Sequence, residues 1–278
     1  MKLISMNIRG LGGWIKMKYI NDLIRKEQVG FICLQETKCE QSSKESCYQM
    51  WGSNEIDWIE IGAVNNGGGI ITMWKKYCFE MKRYRNGNNF SIIEGVRKIG
   101  TPIEITIVNV YCGGTLREKR IFWDELCEVK KSHPIKMWCV ARDFNSIKSV
   151  RDRRGQSSNV NYSSEIQSFN NFIEASSLID IPLVGRKFTW YKPNGTVKSR
   201  IDRILVSLEW LEKWPGSKQY AEGRSVSDHC ALILKDINID WGQKLFRCLD
   251  VWQKDVRFKE LVRTKWESYV IRGNICTF

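Results

Sequence analysis

The chain has 278 residues, enough for one large α/β domain with a sizeable core. Its 44 Lys and Arg against 31 Asp and Glu leave a net charge of +13, which favours polyanionic partners. No apolar run reaches the roughly 18 residues of a membrane span, and the cysteines, with no C-x-x-C spacing, read as reduced thiols of an intracellular protein, not a disulfide or zinc framework. In chain order, LISMN is a first strand and not a signal peptide, because Asn, Arg and glycines follow at once. A helix is expected over Lys16–Glu27, with Ile20, Leu23 and Ile24 on one face. FICLQE is a near-continuous apolar run, as in a strand buried on both faces. GGGIITMW, IIEGV and ITIVNVY supply further strands, and Leu116–Lys131 a helix presenting Phe122, Leu126 and Val129.

MWCVARDF is the next buried strand, followed by a helix over Glu165–Leu178 with Ile166, Phe169, Phe172 and Ile173 together. Short strands close the pattern: KFTWY, SRIDRILV and CALILK. The expected architecture is α/β, with two mixed sheets packed face to face and helices outside. Residues 1–236 form this domain. After Asp236 apolar residues thin out, and 237–278 reads as a partly helical linker around Trp252, Val256, Lys259 and Val262.

Chemistry-bearing residues gather at the ends of these runs. Asp143 and Asn145 follow MWCVA, and alternate residues of an extended segment share a face. An Asp there can activate water or hold a metal, and an Asn can orient a phosphate oxygen; an Asp-x-Asn turn cap fits the same residues. Glu36 ends an apolar run where a carboxylate is costly unless paired or bound to a cation. Mg²⁺ takes one or two carboxylates plus water and phosphate, so one Glu suits it; a first-turn role suits it equally. His229, beside Asp228, is one of two histidines, and the other, His133, is expected in solvent. Tyr111 serves either as a core aromatic or as a phosphate-facing hydroxyl, and Asn7 and Asp202 complete the polar set. No G-x-S-x-G, phosphate loop or H-E-x-x-H occurs, so serine-hydrolase, nucleotide-loop and zincin chemistry are set aside.

The ordered motifs N-x-R-G, Q-E-T, N-V-Y, D-F-N, R-I-D-R and S-D-H resemble the endonuclease/exonuclease/phosphatase superfamily. NIRGLG, FTWYKPNGTVKSRIDRILVS and DWGQKLFRCLDVW are similar, more narrowly, to the apurinic-type endonuclease domain of plant LINE retrotransposons. That resemblance implies a four-layered α/β sandwich that nicks target DNA, nuclear when it functions, monomeric, with a reverse transcriptase beyond the linker and absent from this chain. It implies that Glu36 holds Mg²⁺ or Mn²⁺ with Asn7 nearby, and that Asp143 activates or orients water. Asn145 and Tyr111 would stabilise the phosphate, Asp228 would orient His229 onto it, and Asp202 would complete the network.

DNA is the expected partner, met by Arg9, by Arg151 and Arg153, and by Lys192, Asn194, Lys198 and Arg200 around an Asn-Gly hairpin. The departure is Arg142, where the family carries Gly before the Asp. Gly at a strand end usually marks close approach or an unusual dihedral. Two other readings therefore share these motifs: a relic that binds nucleic acid without cutting, and a phosphoesterase for small substrates.

Overall fold

The computed structural model describes the chain apart from 65–66, 88, 156–161, 238–254 and 269–278, and the side chains of 142 and 268. The chain divides into two units, Met1–Asn238 and Ile239–Phe278. The first begins with β1 (Lys2–Asn7), α1 (Trp14–Glu27), β2 (Phe31–Gln35), α2 (Lys44–Trp51), β3 (Ile56–Ile61) and β4 (Ile70–Lys75). β5 (Phe79–Asn86), β6 (Phe90–Arg97) and β7 (Ile103–Tyr111) form a meander, and α3 (Leu116–Ser132) crosses over to β8 (Trp138–Asp143). Then come β9 (Arg153–Arg154), α4 (Ser163–Ala175), β10 (Ile179–Asp180), β11 (Leu183–Val184), β12 (Trp190–Tyr191) and β13 (Lys198–Ser199). β14 (Asp202–Val206), α5 (Leu208–Lys213), β15 (Ser217–Ala221) and β16 (Leu232–Asp236) finish the unit.

Among the described residues, seven strands form one sheet in the order β11-β15-β16-β1-β2-β4-β3, and six form another, β10-β14-β8-β7-β6-β5. Both are mixed: β1 runs parallel to β2 but antiparallel to β16, and β8 runs parallel to β7 but antiparallel to β14. The alternation of side chains along each strand builds the layers. Leu3, Phe31, Cys33 and Trp74 meet Ile93, Ile105, Ile107 and Ile204 in a core between the sheets. Ile4, Met6, Ile32 and Leu34 turn the other way, onto Ile20, Leu23 and Ile24 of α1 and Met50 of α2. Val108, Val110 and Val140 pack on Phe122, Trp123 and Leu126 of α3 and on Phe169 and Phe172 of α4. Each such buried side chain contributes about 1.5–3 kcal/mol. The result is a four-layered α/β sandwich.

Leu116–Ser132 starts at a capping box: Thr115 Oγ1 accepts from Glu118 N–H, and Glu118 accepts from Thr115 N–H. The described cysteines are free thiols. His133 is not in solvent. It is buried, edge-on to Trp138, with Nε2 2.7 Å from Glu94 Oε1, because the chain tucks inward between the end of α3 and β8. In the second unit the described part is a helix, α6 (Val256–Ser268), bearing exposed Val256, Leu261, Val262 and Trp266; Trp252 lies outside the described residues. No described helix is long and apolar enough to cross a membrane.

Candidate active site

The ends of β1, β2, β7 and β8 and the starts of β14 and β16 lie along one edge of the sandwich, since each antiparallel neighbour begins where its partner finishes. Register fixes the row: Tyr111 pairs with Asp143, and Asp143 with Asp202. The other sheet supplies Asn7, Glu36 and His229 to the same edge, and three side-chain pairs bridge the sheets there. Asn7 Nδ2 donates to Asp143 Oδ2 at 2.9 Å, Tyr111 OH donates to Glu36 Oε1 at 2.5 Å, and His229 Nδ1 lies 2.9 Å from Asp202 Oδ1.

Asp143 is the most constrained of the set. It is buried, its Oδ1 accepts the Asn145 backbone N–H at 2.9 Å, and His229 Nε2 stands 3.8 Å from its Oδ2. Burial raises its carboxyl above the usual range, with His229 pulling the other way and Asp202 adding to the rise. For His229, burial pulls the imidazole down, but the Asp202 and Asp143 carboxylates outweigh it and carry it from 6.5 to about 9. The imidazolium therefore persists through neutral pH as a buried, oriented donor. Burial and Glu36 together push the Tyr111 hydroxyl upward, so it too stays a donor.

Asp228 is placed differently from its expected role. Its Oδ2 accepts from Trp190 Nε1 at 2.9 Å and from Arg9 Nη1, while Asp202 holds His229. Arg9 also brings Nε to 3.5 Å from Glu36 Oε2, and Lys16 Nζ fixes its loop through the carbonyls of Ile8, Arg9 and Gly10. Arg9, Glu36 and Asn145 all adopt left-handed backbone, with φ of 48°, 50° and 45°. Each costs about 1 kcal/mol or more, and such strain concentrates where side chains must be aimed.

Two groupings could hold a cation. Glu36 and Asn7 offer carboxylate and amide oxygens, the hard donors that suit Mg²⁺ or Mn²⁺, with Asn7 Oδ1 also accepting the Arg9 N–H at 3.0 Å. Asp143, Asp202 and His229 also carry ligand atoms within 4.8 Å of one another, but there the imidazole Nδ1 is already engaged by Asp202. Tyr111 settles between its two expected roles. It is half-buried and lines a cavity of 390 Å³ with Asn89, Gly113, Gly114 and Glu118.

Beneath the site lies a polar pair to which the sequence reading gave no role. Gln35 Nε2 donates to Asn109 Oδ1 at 2.7 Å across the sheets, and Asn109 Nδ2 reaches Thr72 Oγ1 at 3.0 Å. Its signal was an amide in each of two otherwise apolar runs, FICLQ and ITIVNVY. Trp190 was missed as well, and Ser227, read only as part of S-D-H, had no role assigned; Ser227 Oγ accepts His229 N–H at 3.2 Å and donates to Asn7 O at 2.8 Å.

The basic residues divide. Lys192 and Asn194 are exposed on the turn between β12 and β13, where Gly195 N–H donates to Lys192 O at 2.8 Å. Arg151 is exposed; Arg153 is half-buried over Tyr162 and Lys198 lies over Phe188. Arg200 does not face outward. Its Nη2 donates to Asp180 Oδ1 at 2.8 Å, beside Arg203, which bonds the same carboxylate, so it is a structural ion pair. Arg142 takes ordinary ladder positions opposite Val110 and Arg203 within β8, so no backbone feature reserved for glycine is required there.

Residues 4–229 match the endonuclease/exonuclease/phosphatase family. The chain belongs to this family. A curated member-like relative, craniofacial development protein 2 of Bos taurus, is 22% identical over 214 residues, covering 66% of this chain and 35% of that protein. The chain thus spans about a third of that relative's length. The fold is also that of an AP endonuclease from Leishmania major, with TM-score 0.65, 16% identity and 84% and 86% of the two chains covered. The endonuclease domain of TRAS1, a telomere-specific non-LTR retrotransposon, superposes with TM-score 0.59 at 13% identity, over 87% of this chain and 99% of that one.

Proposed function

We propose that this family member is a Mg²⁺-dependent endonuclease that hydrolyses a DNA phosphodiester, making the target-site nick of a LINE-type retroelement. The observation that carries this reading is His229, held by Asp202 and directed through Nε2 at Asp143. A protonated imidazole there donates to a non-bridging phosphate oxygen and stabilises the charge that builds on it. Asp143, fixed on both oxygens by Asn7 and Asn145, takes the proton of a water lying in line with the leaving oxygen. Arg9 adds a guanidinium donor beside the phosphate, and Asn145 and Tyr111 hold Asp143 and Glu36 in place around it. Glu36, with Asn7, would hold the cation, which supplies positive charge for the phosphate and the leaving oxygen.

The DNA substrate is supported by the +13 charge and by exposed Lys192 and Arg151. The retroelement role is supported by the NIRGLG and FTWYKPNG segments and by the fold shared with the TRAS1 domain. Nicking of supercoiled plasmid by the purified chain tests the proposal, beside EDTA, His229→Ala and Arg142→Gly. Nicking lost with EDTA and with His229→Ala supports it. Nicking seen only after Arg142→Gly would make the natural chain an inactive copy, and faster turnover of small phosphoesters than of DNA would favour a phosphatase.

A further inference from the structure

Lys119 is a lysine in a place that excludes water. It lies in the first turn of α3, is nearly fully buried, and its ammonium meets three acceptors: Asn145 O at 2.6 Å, Glu165 Oε1 at 2.8 Å and Ser146 Oγ at 3.2 Å. An ammonium has three N–H donors, and each is used. Ser146 Oγ in turn donates to the same Glu165 oxygen at 2.7 Å. An apolar side chain would serve packing at lower desolvation cost, so this charge asks for another explanation.

The loop it grips is the one that leaves β8 with Asp143 and Asn145. Asn145 stands at φ 45°, a conformation an L residue keeps only when its surroundings impose it. Its N–H is tied to Asp143 Oδ1 and its carboxamide donates to Cys112 O at 3.0 Å. Its carbonyl is tied to Lys119. With N–H, side chain and carbonyl all fixed, the residue has no local freedom left.

We propose that Lys119 is a positioning residue for the Asp143–Asn145 pair: its ammonium, anchored by Glu165, clamps the Asn145 carbonyl and so holds both side chains at the reacting phosphate. The inference rests on the phosphodiesterase reading above. It differs from a plain tie between α3 and α4, and the structure offers a control for that. Arg120 also joins these helices, donating to Ser168 Oγ at 3.0 Å and Ser164 Oγ at 2.9 Å, without touching the loop.

The test compares plasmid nicking and amide hydrogen exchange for the natural chain, Lys119→Met, Lys119→Gln, Glu165→Gln and Arg120→Ala. Lys119→Met should lower kcat about 10- to 100-fold with KM for DNA nearly unchanged, the size expected of a displaced reacting group. Lys119→Gln, which keeps a donor for the carbonyl, should recover part of that loss, and Arg120→Ala should leave kcat unaltered. Exchange should rise across 143–147 and not in β1 or β2. If Lys119→Met does not fold, Glu165→Gln, which loosens the anchor and leaves the lysine in place, gives the same comparison at smaller amplitude. Equal loss in Arg120→Ala, or unchanged kcat and exchange in the folded Lys119 and Glu165 variants, overturns the clamp. If the natural chain does not nick at all, the phosphodiesterase reading fails by itself, and exchange across 143–147 decides the clamp.

Discussion

Asp202 opens β14 in one sheet and takes hold of His229, which precedes β16 in the other, at 2.9 Å from Oδ1 to Nδ1. The bond fixes the ring and directs Nε2 toward Asp143. Asp202→Asn should therefore release the imidazolium, bringing the His229 titration down from about 9 toward 6.5. It should also lower nicking by about 10²- to 10³-fold, the range for a lost donor to the developing charge. Asp228→Asn should lower the titration much less, since that carboxylate holds Arg9 and Trp190 and adds only the smallest of the charges that raise the ring. NMR titration of the ring protons separates the two, and equal shifts in both variants would return the orienting role to Asp228.

The same pair sets a pH dependence of stability. The folded chain keeps the His229 proton to about pH 9, whereas the unfolded chain sheds it near 6.5. Its stabilisation is complete below about pH 6.5 and fades as pH rises to 9, a loss on the order of 3 kcal/mol. Urea unfolding from pH 6 to 9.5 should show this decline, and His229→Gln should flatten it. An equally steep decline in His229→Gln would locate the linkage elsewhere.

Why Asp202 was not seen as the histidine's partner is a matter of sheet packing: the contact crosses from one sheet to the other. Asp228 is adjacent in sequence, but it sits in a bend that turns its carboxylate to Trp190 and Arg9. The true partner lies 27 residues away and depends on a register between β8 and β14 that no local pattern encodes. Helix faces were legible because a 3.6-residue period is local: Ile20, Leu23, Ile24, Phe169 and Phe172 are all buried as read. β3 and β5 went unread because they are the edge strands of their sheets, where IDWIEI and FEMKRYRN carry charge in place of an apolar run. Arg200 looked like a DNA contact because sequence shows charge but not the Asp180 it faces.

That division among the basic residues makes its own prediction. Lys192→Ala and Arg151→Ala should each weaken DNA binding and reduce the slope of log K against log salt by about 0.9 if each meets one phosphate. Both side chains are exposed, so unfolding should be unaffected. Arg200→Ala should do the reverse, removing one of the two guanidinium groups on Asp180 and destabilising the fold by about 1.5 kcal/mol with little change in salt slope. Binding measured by fluorescence anisotropy at several salt concentrations, together with urea unfolding, distinguishes the two behaviours. A salt slope altered by Arg200→Ala at full stability would put its guanidinium on the DNA.

Glu36 carries the metal prediction. Its carboxylate is only slightly exposed and meets Tyr111 and Arg9, leaving oxygen lone pairs for a hard cation. Glu36→Gln keeps an acceptor for the Tyr111 hydroxyl but removes the charge, so Mn²⁺ affinity by calorimetry should fall about tenfold or more, roughly 1.4 kcal/mol. The variant should remain folded and bind DNA, and EDTA should abolish nicking by the natural chain, with Mg²⁺ restoring it. Asp202→Asn should leave Mn²⁺ affinity close to that of the natural chain. The opposite pattern, affinity kept in Glu36→Gln and lost in Asp202→Asn, would move the ion to the buried Asp143, Asp202 and His229 group, whose ligand atoms also lie within 4.8 Å of one another. His229 would then be a ligand and no longer a donor to the phosphate, and the charge stabilisation assigned to it would pass to the ion.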